Sequence, residues 1–184
     1  MAIKKSIGIL GFLGVLTVTV CAALGGFLHQ ATAQSTQIQM ELEKNKAIAR
    51  RFSQILGKAD LGLIDELASP EITVYYPAFP QVIKGVAAFK ERLTRFRAAF
   101  GDADMPIEEE IAEGDRVVLR WSFSATHQAE YPPGSGIPPT GKRVKWTGIT
   151  IYRIVDGKVV DERGEEDIFG LMRQLGVIPK PPTQ

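Results

Sequence analysis

The chain is nearly devoid of cysteine. Cys21 is the only one among 184 residues, and it sits in an apolar N-terminal stretch. Any domain downstream folds without disulfides, and at about 150 residues it is large enough to do so. Histidine is almost as scarce. His29 and His127 are the only two, so Cys and His cannot assemble a zinc site. Neither sign of charge dominates, with 22 Lys and Arg against 21 Asp and Glu. This balance supplies no basic patch for nucleic acid. There is no Gly-x-Ser-x-Gly, and Gly8, Gly11 and Gly14 fall in the leader, away from any nucleotide loop. The acidic run DERGEED that ends at Glu166 and Asp167 lacks the alternating acid order of a calcium loop. What remains is acid–base chemistry.

The first 33 residues have the grammar of a secretory signal. Lys4 and Lys5 precede an uncharged apolar run, Ile7 to Leu28, and Ala31-Thr32-Ala33 gives a small-x-small cleavage site. The expectation is an exported protein, periplasmic or extracellular. The alternative is an uncleaved anchor, because the apolar run is long enough to span a bilayer. The membrane would then be met only through this segment. Residues 34–42 read as a polar, Gln-rich linker, residues 43–179 as one domain, and residues 180–184 as a tail.

Within the domain, helices come first. Ala47, Ile48, Phe52, Ile55 and Leu56 have helical spacing, with Gly57 as the stop. Asp60 can cap a short second helix carrying Leu63, Ile64 and Leu67, and Pro70 ends it. ITVYYP (72–77) is β-branched and aromatic, hence a strand. Val86, Phe89, Leu93, Phe96 and Phe100 form the apolar stripe of the clearest helix, whose charges Lys90, Arg92, Arg95 and Arg97 are read as its wet side.

Strands follow at 105–112, 116–127, 142–155 and 158–166, the last two joined by the turn Asp156-Gly157. Ile168 to Leu175 is a closing helix, stopped by Gly176. Helices followed by an antiparallel meander make an α+β fold. The strand 142–155 is apolar on both faces, with Val144, Trp146 and Tyr152 on one and Ile149, Ile151 and Val155 on the other. A second covering on the outer face is therefore expected, first a homodimer interface, otherwise a wider core.

Three features carry candidate chemistry. His127 ends the strand face of Val117, Leu119, Trp121, Phe123 and Ala125, where an imidazole serves either as donor or base or as a strand-end group bonded to backbone. In DERGEED, strand parity puts Asp161, Arg163, Glu165 and Asp167 on one face and Glu162, Gly164 and Glu166 on the other, unless a bulge at Gly164 breaks it. Arg163 can neutralise Asp161 or Glu165. Asp167 is placed either to cap the last helix or to act as an acid–base group. The loop EYPPGSGIPPTG (130–141) is too long for a minimal hairpin and can form a rim over a pocket mouth.

The stretches NKAIARRFSQILGKADLGLIDELASPEITVYYP, GIPPTGK, RIVDGK and DIFGLMRQLG together resemble the SnoaL-like polyketide cyclases, or ester cyclases. The likeness runs over about residues 43–179, with Arg163 where members commonly carry Trp. It implies a cone-shaped barrel like nuclear transport factor 2, in which N-terminal helices pack on a curved antiparallel sheet around an apolar pocket. It also implies a cofactor-free aldol-type cyclisation of an apolar carbonyl compound. Asp167 matches the family's proposed general acid/base, and His127 matches the histidine of its Thr-His pattern. Trp121, Phe123, Trp146 and Tyr152 are the expected substrate-binding walls. Because one fold hosts many reactions, an isomerase, a dehydratase or a noncatalytic small-molecule or partner-binding module is the alternative.

Overall fold

The computed structural model describes residues 10–58, 60–79, 81–132 and 134–179, with only the backbone described for 10–29 and 31. The basic start at Lys4 and Lys5, the side chains of the apolar run and the tail 180–184 lie outside the described residues. The chain divides into two units, Met1–Glu41 and Leu42–Gln184. Helix α1 spans Leu10–Lys58. The expected linker 34–42 is therefore helical; its Gln, Met, Glu and Leu are good helix formers despite their polarity.

The second unit holds α2 (Gly62–Leu67), β1 (Ala68–Tyr75), β2 (Ile83–Lys84), α3 (Val86–Ala99) and β3 (Phe100–Asp104). It continues with β4 (Ile107–Glu113), β5 (Arg116–His127), β6 (Arg143–Val155), β7 (Lys158–Glu166) and α4 (Ile168–Leu175). One seven-stranded sheet runs in the order β2-β1-β7-β6-β5-β3, with β4 also on β5. The sheet is mixed, where the residues alone gave an antiparallel meander. The β1–β7 pair is parallel, with Thr73 beside Asp161 and Val74 beside Glu162. That pairing joins segments nearly ninety positions apart, beyond the reach of local periodicity.

The inner face of the sheet is built by alternation. Val117, Leu119, Trp121, Phe123, Ala125 and His127 of β5 are all buried, as are Val144, Trp146, Thr150, Tyr152 and Ile154 of β6. Phe123 lies opposite Trp146, Trp121 opposite Gly148, and Tyr152 opposite Glu162. Helices cover this face: Phe52 of α1 stacks on Phe89 of α3 at 5.7 Å and meets Tyr152 edge-on at 5.6 Å. Each such aromatic contact contributes about 1 kcal/mol beyond the area it buries.

Two glycines set the depth of the inner face. A Cβ on Gly148 would lie 2.3 Å from the Trp121 ring, and one on Gly164 would lie 2.0 Å from the Tyr76 ring. The register irregularity in β7 falls upstream of Gly164: Arg153 pairs Asp161 and Ile154 pairs Val159, leaving Val160 as the extra residue. The parity read for 161–166 is therefore intact, and Glu162, Gly164 and Glu166 share the inner face.

The outer face carries an apolar row. Ile111, Val118 and Ile151 are cross-strand partners on β4, β5 and β6. Ile111 is 65% exposed, with Ile149 and Ile151 exposed beside it.

Candidate active site

Between the inner face and the helices lies a cavity of about 60 Å³. Trp121, Phe123, Trp146 and Tyr152, the four expected walls, all line it, together with Phe89, Phe96 and Tyr131. Polar groups to which the sequence reading assigned no part in the chemistry line it too, among them Tyr76, Arg92, Glu162 and Glu166.

Glu162 is 3% exposed. Its Oε1 accepts the Tyr76 hydroxyl at 2.6 Å, while its Oε2 has no partner. The phenol meets Thr150 Oγ1 at 3.3 Å, and the same oxygen accepts Trp121 Nε1 at 2.9 Å. With Trp121 and Glu162 fixed as donor and acceptor, the chain has one proton order: Thr150 donates to Tyr76, and Tyr76 to Glu162. Burial pushes the Glu162 carboxyl up to about 7, against the bond from Tyr76, with the nearby Asp161 and Glu166 charges adding to the rise. A carboxyl that titrates near neutrality in an apolar cavity, with one oxygen free, both takes and returns protons efficiently.

Glu166 is the second cavity carboxyl. Its Oε2 accepts Trp146 Nε1 at 2.9 Å. Burial raises its pKa, and the Trp146 bond and the Arg92 charge oppose the rise.

Arg92 departs from the wet side assigned to it. Its guanidinium lies over the Phe79 ring at 3.6 Å and donates to the Tyr131 hydroxyl at 3.1 Å. Its position explains this: it follows Phe89 by three residues and precedes Phe96 by four, which puts it beside the apolar stripe. The other α3 cations are held elsewhere. Lys90 pairs with Asp65 at 2.6 Å, Arg95 pairs with Glu91, and Arg97 donates to the Leu56 and Gly57 carbonyls at the end of α1. Arg92, Phe79 and Ile83 also line an open groove on the far side, so they form the thin wall between cavity and exterior.

The two residues expected to be catalytic lie elsewhere. Asp167 is exposed and caps α4, its Oδ1 accepting the Gly170 N–H at 2.8 Å. It lines a shallow surface groove with Arg120, Thr147 and Ile149. Geometry thus gives this carboxylate to the helix end. α4 is also strapped to β6 by Gln174, which accepts from Lys145 N at 2.9 Å and donates to Lys145 O at 2.6 Å. His127 is fully buried but absent from the cavity lining. Its Nδ1 accepts the Thr140 N–H at 3.2 Å, which ties down the returning end of the 130–141 loop. Burial lowers its pKa and favours the neutral imidazole. Of the loop, Tyr131 is buried against Phe96 and Phe100 and lines the cavity. Arg163 pairs with Asp161 at 2.9 Å, as the sequence allowed.

Comparisons with known proteins agree with this architecture. Over 95 residues the chain is 34% identical to the aklanonic acid methyl ester cyclase DnrD of Streptomyces peucetius, covering 51% of this chain and 63% of the relative. Over 41 residues it is 46% identical to the nogalonic acid methyl ester cyclase of Streptomyces nogalater, covering 22% and 31%. In both cases the matched stretch is under two thirds of the relative's own length. Among solved structures, AclR of Streptomyces galilaeus superposes with a TM-score of 0.67 at 31% identity, covering 77% of this chain and 87% of that one. TsrD of Streptomyces laurentii does so with a TM-score of 0.65 at 26% identity, covering 74% and 97%. The family model for SnoaL-like polyketide cyclases matches residues 46–175. With its helices on a curled mixed sheet around an apolar cavity, the chain belongs to the SnoaL-like polyketide cyclase family.

Proposed function

We propose that this protein is a cofactor-independent acid–base enzyme that forms or breaks a carbon–carbon bond beside a carbonyl, as in an aldol-type ring closure. The observation that carries the reading is Glu162: a buried carboxyl titrating near 7, with one oxygen free, in a cavity walled by aromatic rings. Glu162 takes the α-proton of an apolar carbonyl compound, and the C–H electron pair becomes the enolate double bond. The enolate carbon then attacks a second carbonyl of the same molecule. The new alkoxide recovers the proton from Glu162, so the carboxylate is regenerated.

The family likeness assigns that role to Asp167, and the two assignments separate cleanly. Apolar ketones and β-keto esters incubated with the protein in D₂O are expected to exchange their α-protons, read by proton NMR. Glu162→Gln should abolish the exchange. Asp167→Asn, which preserves an N-cap, should retain it. The reverse pattern returns the role to Asp167. Asp167→Ala should cost about 1 kcal/mol of stability through the lost cap.

Two further parts of the reading rest on other features. The leader predicts export with cleavage after Ala33, and the outer row of Ile111, Val118 and Ile151 supports a homodimer through that face. Native mass measurement on protein recovered from the exported fraction should give a dimer of chains beginning at Gln34. A full-length chain held in the membrane fraction, or a monomer, would count against the corresponding part.

A further inference from the structure

We propose that the Tyr131 hydroxyl, held by Arg92, is the donor that receives the enolate oxygen in this cavity, so that the site selects apolar carbonyl compounds able to enolise. The inference rests on the acid–base reading of Glu162 and extends it to the other end of the reacting group.

A base alone does not make an enolate in an apolar cavity; the charge that develops on oxygen needs a donor already in place. The polar groups lining the cavity are few. The Tyr76 hydroxyl is spent on Glu162, the Trp121 N–H on Thr150 and the Trp146 N–H on Glu166. Ser53 donates to the Arg50 carbonyl at 2.9 Å, and Tyr152, the cross-strand partner of Glu162, has that carboxyl rather than a cation beside it, which opposes negative charge there.

Tyr131 differs from all of these. It receives a bond from Arg92 Nη2 at 3.1 Å, which occupies its oxygen, and among the described residues its own proton has no acceptor. Its ring is fixed edge-on against Phe100 at 4.8 Å and Phe96 at 5.7 Å. Arg92 is fixed by its stack on Phe79. A bond from a guanidinium polarises a phenol O–H and strengthens what it donates. Tyr131 is then the catalytic donor, and Arg92 is a positioning residue that acts through it. As Glu162 takes the α-proton, the carbonyl π pair moves to oxygen and is met by the Tyr131 O–H. On ring closure the pair returns to the carbonyl.

The test uses para-nitrophenol, whose phenolate imitates an enolate oxygen and reports its own ionisation by colour, beside nitrobenzene, which lacks that oxygen. In the parent protein, bound nitrophenol should ionise at lower pH than the free dye. Tyr131→Phe keeps the ring and its packing. It should raise the bound dye's ionisation pH and weaken phenolate binding by at least about tenfold, with nitrobenzene binding unchanged within about twofold. Arg92→Met should shift the ionisation in the same direction. Glu162→Gln removes a competing negative charge and should tighten phenolate binding.

The proposal is overturned if the parent does not bind the phenolate, if Tyr131→Phe leaves its affinity and colour unchanged, or if nitrobenzene binding falls in step. The dye undergoes no carbon–hydrogen cleavage. Failure here therefore leaves the Glu162 exchange assay to stand or fall separately.

Discussion

Glu162→Gln should be more stable than the parent at pH 8 and of nearly equal stability at pH 4. The sign follows from the raised carboxyl. The folded protein holds the Glu162 proton up to about pH 7, whereas the exposed group loses it near 4.5. Between those values the unfolded chain has fewer protons bound, so stability falls as pH rises and levels off above about 7. The separation corresponds to about 3 kcal/mol at alkaline pH, or several degrees in melting temperature for a domain of this size. His127 works the other way: burial favours its neutral form, so its contribution fades as pH falls. Comparing parent and Glu162→Gln at each pH cancels that contribution and isolates the carboxyl. Glutamine reproduces the protonated acid's shape and still accepts from Tyr76, but it cannot carry a proton between atoms. The variant should therefore lose about 10²- to 10⁴-fold in proton-transfer rate while gaining stability. Denaturant titrations at pH 4 and pH 8 decide the point, and parallel stability curves would mean that the carboxyl is not buried as described.

Gly164→Ala is the second large effect. The added methyl would sit 2.0 Å from Cε1 of Tyr76, a distance at which the ring must move. The ring has little space to retreat, since it is buried and rests against Phe79 at 5.4 Å. Overpacking of this kind costs about 1–3 kcal/mol. It also carries a chemical signature. Tyr76 is the donor that holds the Glu162 pKa down, so displacing it should move the titration upward and extend the stability loss to higher pH. A variant as stable as the parent, with an unmoved pH midpoint, would show that Tyr76 is not the group that fixes Glu162.

Reading the residues recovered the parts of the fold governed by short periods. From Val117 to His127 every second residue is buried because one face of β5 is covered along its whole length, and Ser122 is the one residue of the other face that is buried as well. β7 and α4 begin and end where their turn and cap residues put them. The four aromatic walls were legible for the same reason, since they occupy inward positions of two long strands.

The carboxylates were less accessible. Parity separated Glu162 and Glu166 from Asp161 and Asp167, but it could not say which set faced inward. The cue that would orient β7 is Val159, which is buried, and the extra residue Val160 shifts the parity between Val159 and Glu162. Arg92 was hidden by its type: a charge within a charged face reads as solvated, although its spacing from Phe89 and Phe96 marks it as a flank of the buried stripe. Asp167 shows the converse case. A family motif and a capping signal coincide at one residue, and in the fold its Oδ1 accepts the Gly170 N–H.

The wall formed by Phe79, Ile83 and Arg92 bears on substrate size. At about 60 Å³, the cavity is smaller than the roughly 150 Å³ void that admits benzene in an engineered protein core. A fused-ring compound would therefore have to displace this wall to bind. The wall is held by a guanidinium resting on a phenyl ring, an interaction of about 0.5–2 kcal/mol, and by its bond to Tyr131, and no ion pair reinforces it among the described residues. The closed volume is thus a floor on what the protein can accept. The ceiling is set by how far Phe79 and Arg92 can swing apart before Tyr131 loses its hold.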